Sequence, residues 1–180
     1  DIARCILRKF PKLKIGHVGT LDPMAQGVLP MVIGKATRLQ DLLLDSVKEY
    51  ECTVELGYET DSLDATGNVV AKQDLSDEGA QPLVAALATE RLKACLYGFC
   101  GTLMQTPPIY SAVKLKGRPL YKYACDGKSS EVDLNALARK VSIYDLRLLS
   151  VSARSFSFRV RCSKGTYVRV LAKDICKKIW

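Results

Sequence analysis

Asp22 sits in the segment Gly16-His17-Val18-Gly19-Thr20-Leu21-Asp22-Pro23, where glycines on both sides of His17 permit tight backbone turns and Pro23 restricts Asp22 to extended geometry. An acid presented this way, just ahead of an apolar run, is positioned. Two uses are open to it: acid chemistry on a bound ligand, or an Asx turn or helix cap. Arg169 falls in the first turn of a C-terminal helical pattern, where the helix dipole favours anions and a cation needs another reason to be present. A buried carboxylate would supply that reason, because a guanidinium offers a planar bidentate fork and stays charged; an ordinary surface arginine is the alternative. Tyr50 and Tyr167 could stack on a flat ligand or pack in a core, and His17, the single histidine, could be structural or catalytic. Lys164-Gly165-Thr166 lacks the GxxxxGK[ST] spacing of a phosphate loop, which sets aside an NTPase.

The elements that must position these residues can be read from periodicity. Apolar residues at 2, 3, 6, 7 and 10 predict a short amphipathic helix ending before Pro11. Residues 14–30, rich in Gly and polar side chains, read as a structured loop, 28–34 as a short buried strand, and 36–44 as a helix. Tyr50, Cys52, Val54 and Leu56 alternate with Glu51, Thr53 and Glu55, which predicts a half-buried strand with Tyr50 on its apolar face. Residues 57–67 form a loop dense in Asp and Thr before a strand over 68–72, together a hairpin. A helix is expected over 81–96, a break over 98–108, a short strand over 111–115, a helix over 119–125 and an exposed polar loop over 126–135. Phe156, Phe158, Val160 and Cys162 alternate with Ser157, Arg159 and Arg161, a strand with a basic outer face. A last helix opens at Gly165-Thr166, with Thr166 the expected N-cap and apolar positions at 168, 171, 172, 175 and 179. With no repeat and no linker, the pattern is one mixed α/β domain, α+β in arrangement, over residues 1–180: a largely antiparallel sheet with flanking helices.

The 180 residues, 48% hydrophobic and 26% charged, suffice for a core without disulfide or metal staples and exclude a disordered or low-complexity chain. No stretch approaches the ~18 apolar residues of a membrane span, and no secretory pattern opens the chain, so the expected compartment is the cytoplasm. The net charge of +8 is segregated: +3 over residues 1–50, −6 over 51–110 and +11 over 111–180. Cations interleaved with Tyr110, Tyr121, Tyr123, Tyr144 and Tyr167 are what a phosphate-tracking surface with stacking platforms would need; a solvated basic face is the alternative. The seven cysteines form no CxxC pair, so neither a disulfide framework nor a zinc site is indicated, and most are expected to be reduced core residues.

Taken together, Gly16-His17-Val18-Gly19-Thr20-Leu21-Asp22-Pro23-Met24-Ala25-Gln26-Gly27-Val28-Leu29-Pro30 closely resembles the signature loop of TruB-type pseudouridine synthases. The resemblance runs on in chain order through Lys48-Glu49-Tyr50, the segment from Leu56 to Gly67, Thr106-Pro107-Pro108-Ile109-Tyr110-Ser111-Ala112-Val113-Lys114, and Cys162-Ser163-Lys164-Gly165-Thr166-Tyr167-Val168-Arg169. The bacterial branch, which modifies uridine 55 in the T arm of transfer RNA, is closer than the branch that works in guide-RNA particles. The resemblance implies a pseudouridine-synthase-like fold and an isomerisation that detaches uracil, rotates it and rejoins it through carbon 5, with no metal and no organic cofactor. It implies that Asp22 is the nucleophile, on ribose C1′ or uracil C6, and that Arg169 opposes the rise in its pKa that desolvation would cause. It makes Tyr50 the residue that stacks on the target base and a candidate for assisting proton removal from C5. Tyr167 and His17 would contact the substrate nucleotide, and Asp64 would support Arg169. The uridine would be flipped out of its stack, and the transfer RNA would be the partner.

Four departures accompany the resemblance. Family members begin with a strand carrying a Lys-Pro pair, continue with core structure that closes over the base pocket, and often add a small C-terminal RNA-binding domain. Residues 1–180 are therefore expected to be the catalytic domain without these segments. Cys125 stands where the family's Tyr-x-x-Ala-Arg has Arg, so one RNA or core contact is expected to be lost or replaced. An RNA-binding or RNA-folding module that keeps the scaffold without catalysis is the alternative from another functional class, and the intact set Asp22, Tyr50, Tyr167 and Arg169 speaks against it, since a binder has no need of the acid.

Overall fold

The structure is a computed structural model that describes residues 2–73, 90–152 and 154–179. The chain divides into two compact units, Asp1–Val47 and Lys48–Trp180.

The first unit opens with helix α1, Ile2–Lys9, as the spacing of its apolar residues predicts. Strands β1, Ile15–His17, and β2, Met31–Ile33, then pair antiparallel, with Gly16 opposite Val32 and His17 opposite Met31. The loop between them carries Asp22, and its neck is closed by a hydrogen bond from Val18 N to Pro30 O, 2.9 Å. A 3₁₀ turn, Gly34–Leu39, leads into the short helix α2, Gln40–Leu44. Two expectations need correction here. The strand over 28–34 is only three residues long and buries Val32 alone, because Val28 lies in the loop and is 88% exposed. The segment 14–30 is not wholly loop, since Ile15–His17 is a strand whose short apolar–glycine–polar sequence carries no alternation to reveal it.

The second unit is a four-stranded antiparallel sheet in the order β3-β10-β9-β6 with helices on one face. Strand β3 spans Lys48–Glu55; a small hairpin follows, β4 Tyr58–Thr60 and β5 Val69–Lys72. Helix α3 is described over Glu90–Tyr97, so the expected helix over 81–96 falls partly outside the described residues. Strand β6, Gly101–Gln105, the short pair β7, Lys114–Leu115, and β8, Arg118–Pro119, and helix α4, Leu120–Cys125, come next. Strands β9, Arg139–Val151, and β10, Ser155–Cys162, precede helix α5, Val168–Ile179.

The core lies between the sheet and the two helices α3 and α5. Phe156, Phe158, Val160 and Cys162 of β10 point into it with Val54, Leu92, Leu96, Leu171 and Ile175. Val141, Ile143 and Leu146 of β9 are also buried, and Leu148 and Val151 are packed against the same cluster. The steps from 143 to 146 and from 148 to 151 are three residues, not two, and they fall at the two register shifts between β9 and β10. Each bulge inserts one residue and returns the apolar side chains to the same face. This broken period hides β9, the longest strand of the sheet, from a search for alternation, and β6 is hidden by the glycine and polar residues expected to break structure over 98–108.

The segment 126–135 contains a 3₁₀ turn, Ser129–Glu131, buries Val132 and ends where a second 3₁₀ turn, Asn135–Leu137, begins. Thr166 is not the N-cap of α5: the helix opens at Val168, Tyr167 O accepts its first bond from Leu171 N, and the Thr166 hydroxyl donates back to Ser163 O at 2.9 Å. Among the cysteines, Cys162 is buried, but Cys5, Cys100 and Cys125 are exposed, so the expectation of core thiols fails for these three. Burial pushes the thiols of Cys52 and Cys176 up to about 11, which keeps them protonated and inert at neutral pH.

The outer face of the sheet is less cationic than β10 alone implies. Glu51 lies directly opposite Arg159 and Glu49 opposite Arg161. Arg159 donates to Glu51 Oε1 at 2.6 Å and lies 3.9 Å from Glu49, which is also 3.8 Å from Arg161. These exposed pairs add little stability, but they place the Glu49 carboxylate between the two guanidiniums.

Phe158 is fully buried, so Phe158→Ala is expected to cost about 3–5 kcal/mol in urea unfolding. Leu149, 45% exposed on β9, should tolerate Ala within about 0.5 kcal/mol. Equal losses at both positions would contradict the assignment of core and outer faces.

Candidate active site

In the first unit, Asp22 is half-buried at the first position of a turn closed by Ala25 N donating to Asp22 O, 2.9 Å. Asp at the first position and Pro23 at the second match the preferences of a type I turn, so the local sequence favours this backbone around the carboxylate. His17 is exposed at the end of β1, and its Nδ1 donates to Gly19 O. The side-chain amide of Gln40 donates to His17 O at 2.9 Å, tying α2 to the strand that precedes the Asp22 loop. A Cβ at Gly16 would fall on the Gln40 side-chain amide, so a larger residue there would displace the side chain that ties α2 to β1.

In the second unit, the structure brings Arg169 and Asp64 together. Arg169 Nη1 lies 3.7 Å from Asp64 Oδ2, and the two side chains are 12% and 7% exposed. The same Nη1 donates to Ser62 O, and Nη2 donates to Tyr110 O at 3.1 Å. One guanidinium thus joins α5, the loop of the β4–β5 hairpin and the segment after Thr106-Pro107-Pro108. Lys173, one turn further along α5, pairs with Glu59 and holds the same hairpin.

Asp64 is itself held. Its Oδ1 accepts from Ser62 Oγ at 2.8 Å, Thr66 N at 2.9 Å and Thr66 Oγ1 at 2.6 Å, an Asx turn built on Asp64-Ala65-Thr66. Burial pushes its carboxyl upward, but the bonds from Thr66 and Ser62 and the Arg169 charge outweigh it and leave the group below the ordinary carboxylate value. Two further features fix this loop. Leu63 has φ +62°, a left-handed conformation that costs a non-glycine residue about 1–2 kcal/mol, next to the carbonyl that Arg169 grips. Gly67 leaves room for the turn, since a Cβ would meet Ser62 Oγ and its main-chain nitrogen.

Tyr50 is half-buried on the core face of β3, packed against the hydrophobic cluster, and Tyr167 is half-buried immediately before α5. The Arg139 guanidinium lies 5.8 Å from the centre of the Tyr167 ring. Sequence reasoning missed Ser62, Thr66, Tyr110, Gln105 and Arg139 as parts of this arrangement. The Asp-x-Thr spacing could have flagged Thr66, whereas Ser62 and Tyr110 act through carbonyls that any residue possesses. Among the described residues, no group of three or more His, Cys, Asp or Glu is placed to hold a metal ion.

Residues 7–168 match the family model described as TruB family pseudouridylate synthase (N terminal domain). The chain belongs to that family. Similar proteins include the tRNA pseudouridine synthase B of Francisella tularensis subsp. novicida, 48% identical over 170 residues that cover 94% of this chain and 52% of the relative. The synthase of the same name from Francisella philomiragia subsp. philomiragia matches with the same identity and coverage. This TruB-family chain thus spans about half the length of the curated relatives it matches. Among solved structures, a Cbf5-Nop10-Gar1 complex aligns with a TM-score of 0.61 and 27% identity over 99% of this chain and 40% of that one. A second, an H/ACA RNP bound to a substrate RNA containing 2'-deoxyuridine, has a TM-score of 0.60 at 22% identity over 99% of this chain and 38% of that one, a likeness of fold.

The lowered Asp64 value has a consequence for stability with a definite sign. A carboxyl more acidic in the folded state contributes stability that is present above the unfolded value, about 3.9, and is lost as pH falls through the folded value. Asp64→Asn is expected to destabilise by about 1–3 kcal/mol at neutral pH, with the gap to wild type narrowing below about pH 4. Urea unfolding across pH measures this; a gap independent of pH would contradict a charged, hydrogen-bonded Asp64.

Proposed function

We propose that this chain carries the catalytic domain of a synthase that converts uridine 55 in the T arm of transfer RNA to pseudouridine, in the cytoplasm. The observation that carries this reading is the fixed Arg169 guanidinium, buried against Asp64 and two carbonyls two residues after Tyr167, in a chain of the TruB family. The names of the relatives support transfer RNA as the substrate.

The reaction breaks the bond between ribose C1′ and uracil N1 and makes one between C1′ and C5. The C5 proton leaves and N1 takes one up, so the product is an isomer of the substrate. Asp22 is the nucleophile, and an ionised carboxylate serves attack on ribose C1′ or on uracil C6 alike. Arg169 supplies a fixed positive charge to the reaction, its guanidinium oriented by Asp64. Tyr50 stacks on the flipped base and assists removal of the C5 proton, while Tyr167 and His17 contact the nucleotide. Flipping costs a few kcal/mol, offset by stacking and by phosphate contacts from the basic part of the chain. The residues assigned here ask for no metal or organic cofactor.

In the purified protein, a T-arm transcript should gain pseudouridine at position 55, read by mapping the modified position. Asp22→Asn should abolish product while RNA affinity stays within about threefold. Arg169→Lys, which keeps the charge and loses the planar fork, should lower turnover about 100-fold with a smaller fall in affinity. Wild-type turnover by the Asn variant would overturn the nucleophile assignment, and product formed only at another uridine would overturn the substrate assignment.

A further inference from the structure

Gln105 is the last residue of β6, its side chain is almost wholly buried at 2% exposure, and nothing in the reaction assigned above uses it. Its amide is spent entirely on the main chain of one residue: Tyr167 N donates to Gln105 Oε1 at 2.7 Å, and Gln105 Nε2 donates to Tyr167 O at 3.1 Å. This two-point pairing resembles one rung of a sheet, with a side chain in place of a strand. It also falls at a structurally sensitive residue. Tyr167 O accepts the first hydrogen bond of α5, from Leu171 N at 3.0 Å, so the residue that Gln105 grips is the one from which the helix starts.

The ring of Tyr167 is held from the same place. Arg139 is the cross-strand partner of Gln105 in the β6–β9 register, and its guanidinium is the one that lies over the Tyr167 ring. One pair of opposed residues on two strands therefore holds both the backbone and the ring of a single tyrosine. From Tyr167 the chain passes directly into the first turn of α5, where Arg169 makes its contacts with Asp64, Ser62 and Tyr110.

We propose that Gln105 is a positioning residue for the isomerisation: by pinning the main chain of Tyr167 it sets the start of α5, and with it the placement of the Tyr167 ring and the Arg169 fork. This rests on the function proposed above. A side chain serving stability alone would, once replaced, lower the amount of folded protein without changing turnover per folded molecule. A positioning residue changes turnover by the folded enzyme, because small misplacements of groups that must meet a reacting base are costly.

The test is Gln105→Met, which keeps the volume and the burial and removes both hydrogen bonds, assayed on the T-arm transcript with the folded fraction established by thermal unfolding. Expected is a fall in kcat of about 10- to 100-fold with KM within about threefold. In parallel, hydrogen exchange at the Tyr167 amide should quicken at least about tenfold in the variant, while the Phe158 amide in the centre of the sheet keeps its protection. A kcat equal to wild type, or a loss confined to KM, would overturn the inference. Should the wild-type protein form no pseudouridine, the functional reading fails on its own. The exchange measurement then still decides whether Gln105 holds Tyr167: unchanged exchange at Tyr167 overturns the pinning, and faster exchange there alone upholds it.

Discussion

A guanidinium buried inside a protein is costly unless every face of it is answered, and the second unit of this chain is organised around answering one. Arg169 meets a carboxylate, Asp64, and two backbone carbonyls, Ser62 O and Tyr110 O, from segments far apart in sequence. Removing one partner from a buried pair of this kind is destabilising, because the other charge is left uncompensated. That penalty makes the hairpin loop, the segment after Pro108 and the start of α5 mutually dependent. The Asx turn at Asp64, the left-handed Leu63 and the unsubstituted Gly67 are local conditions for the same contact. A positive charge fixed in this way bears no further cost of ordering itself, which is the physical content of preorganisation.

The charge along the chain is put to two different uses. A net +11 over the last seventy residues suggests a continuous phosphate-binding surface. The fold instead pairs Arg159 and Arg161 with Glu49 and Glu51 across the sheet, Arg118 with Asp126, and Lys173 with Glu59. The acidic middle of the sequence and its basic end are thus partly complementary halves of one sheet and one helix packing. Attraction for a polyanion rests on what is left after this internal pairing, which is a smaller and more localised field than the sum implies.

What could be read in the sequence follows from which signals are local. The strand bearing Tyr50 and the strand bearing Phe158 keep an unbroken period of two and were legible, as were α1 and α5, whose apolar residues recur at helical spacing. Strand β9 was not, because its two bulges shift the apolar residues out of step, and β6 was not, because Gly101 and Gln105 are poor strand formers placed by pairing with β9. At the site, the odd location of Arg169 near a helix start points to a buried anionic partner, and Asp64 occupies such a place. Its other contacts were invisible for a simple reason: a carbonyl acceptor belongs to every residue, and the amide of Gln105 gives no sign in sequence of the main chain it will meet. Thr166 shows the reverse error, a residue of capping type whose hydroxyl turned back to Ser163 instead.

The rigidity of the Arg169 side chain is the claim on which the rest depends, and nitrogen-resolved NMR of its guanidinium tests it most directly. A fork held by Asp64, Ser62 and Tyr110 predicts separate, slowly exchanging Nη signals for Arg169, in contrast to averaged signals from an exposed arginine such as Arg147, whose side chain is 74% exposed. Averaged Nη signals from Arg169, indistinguishable from those of Arg147, would contradict the account.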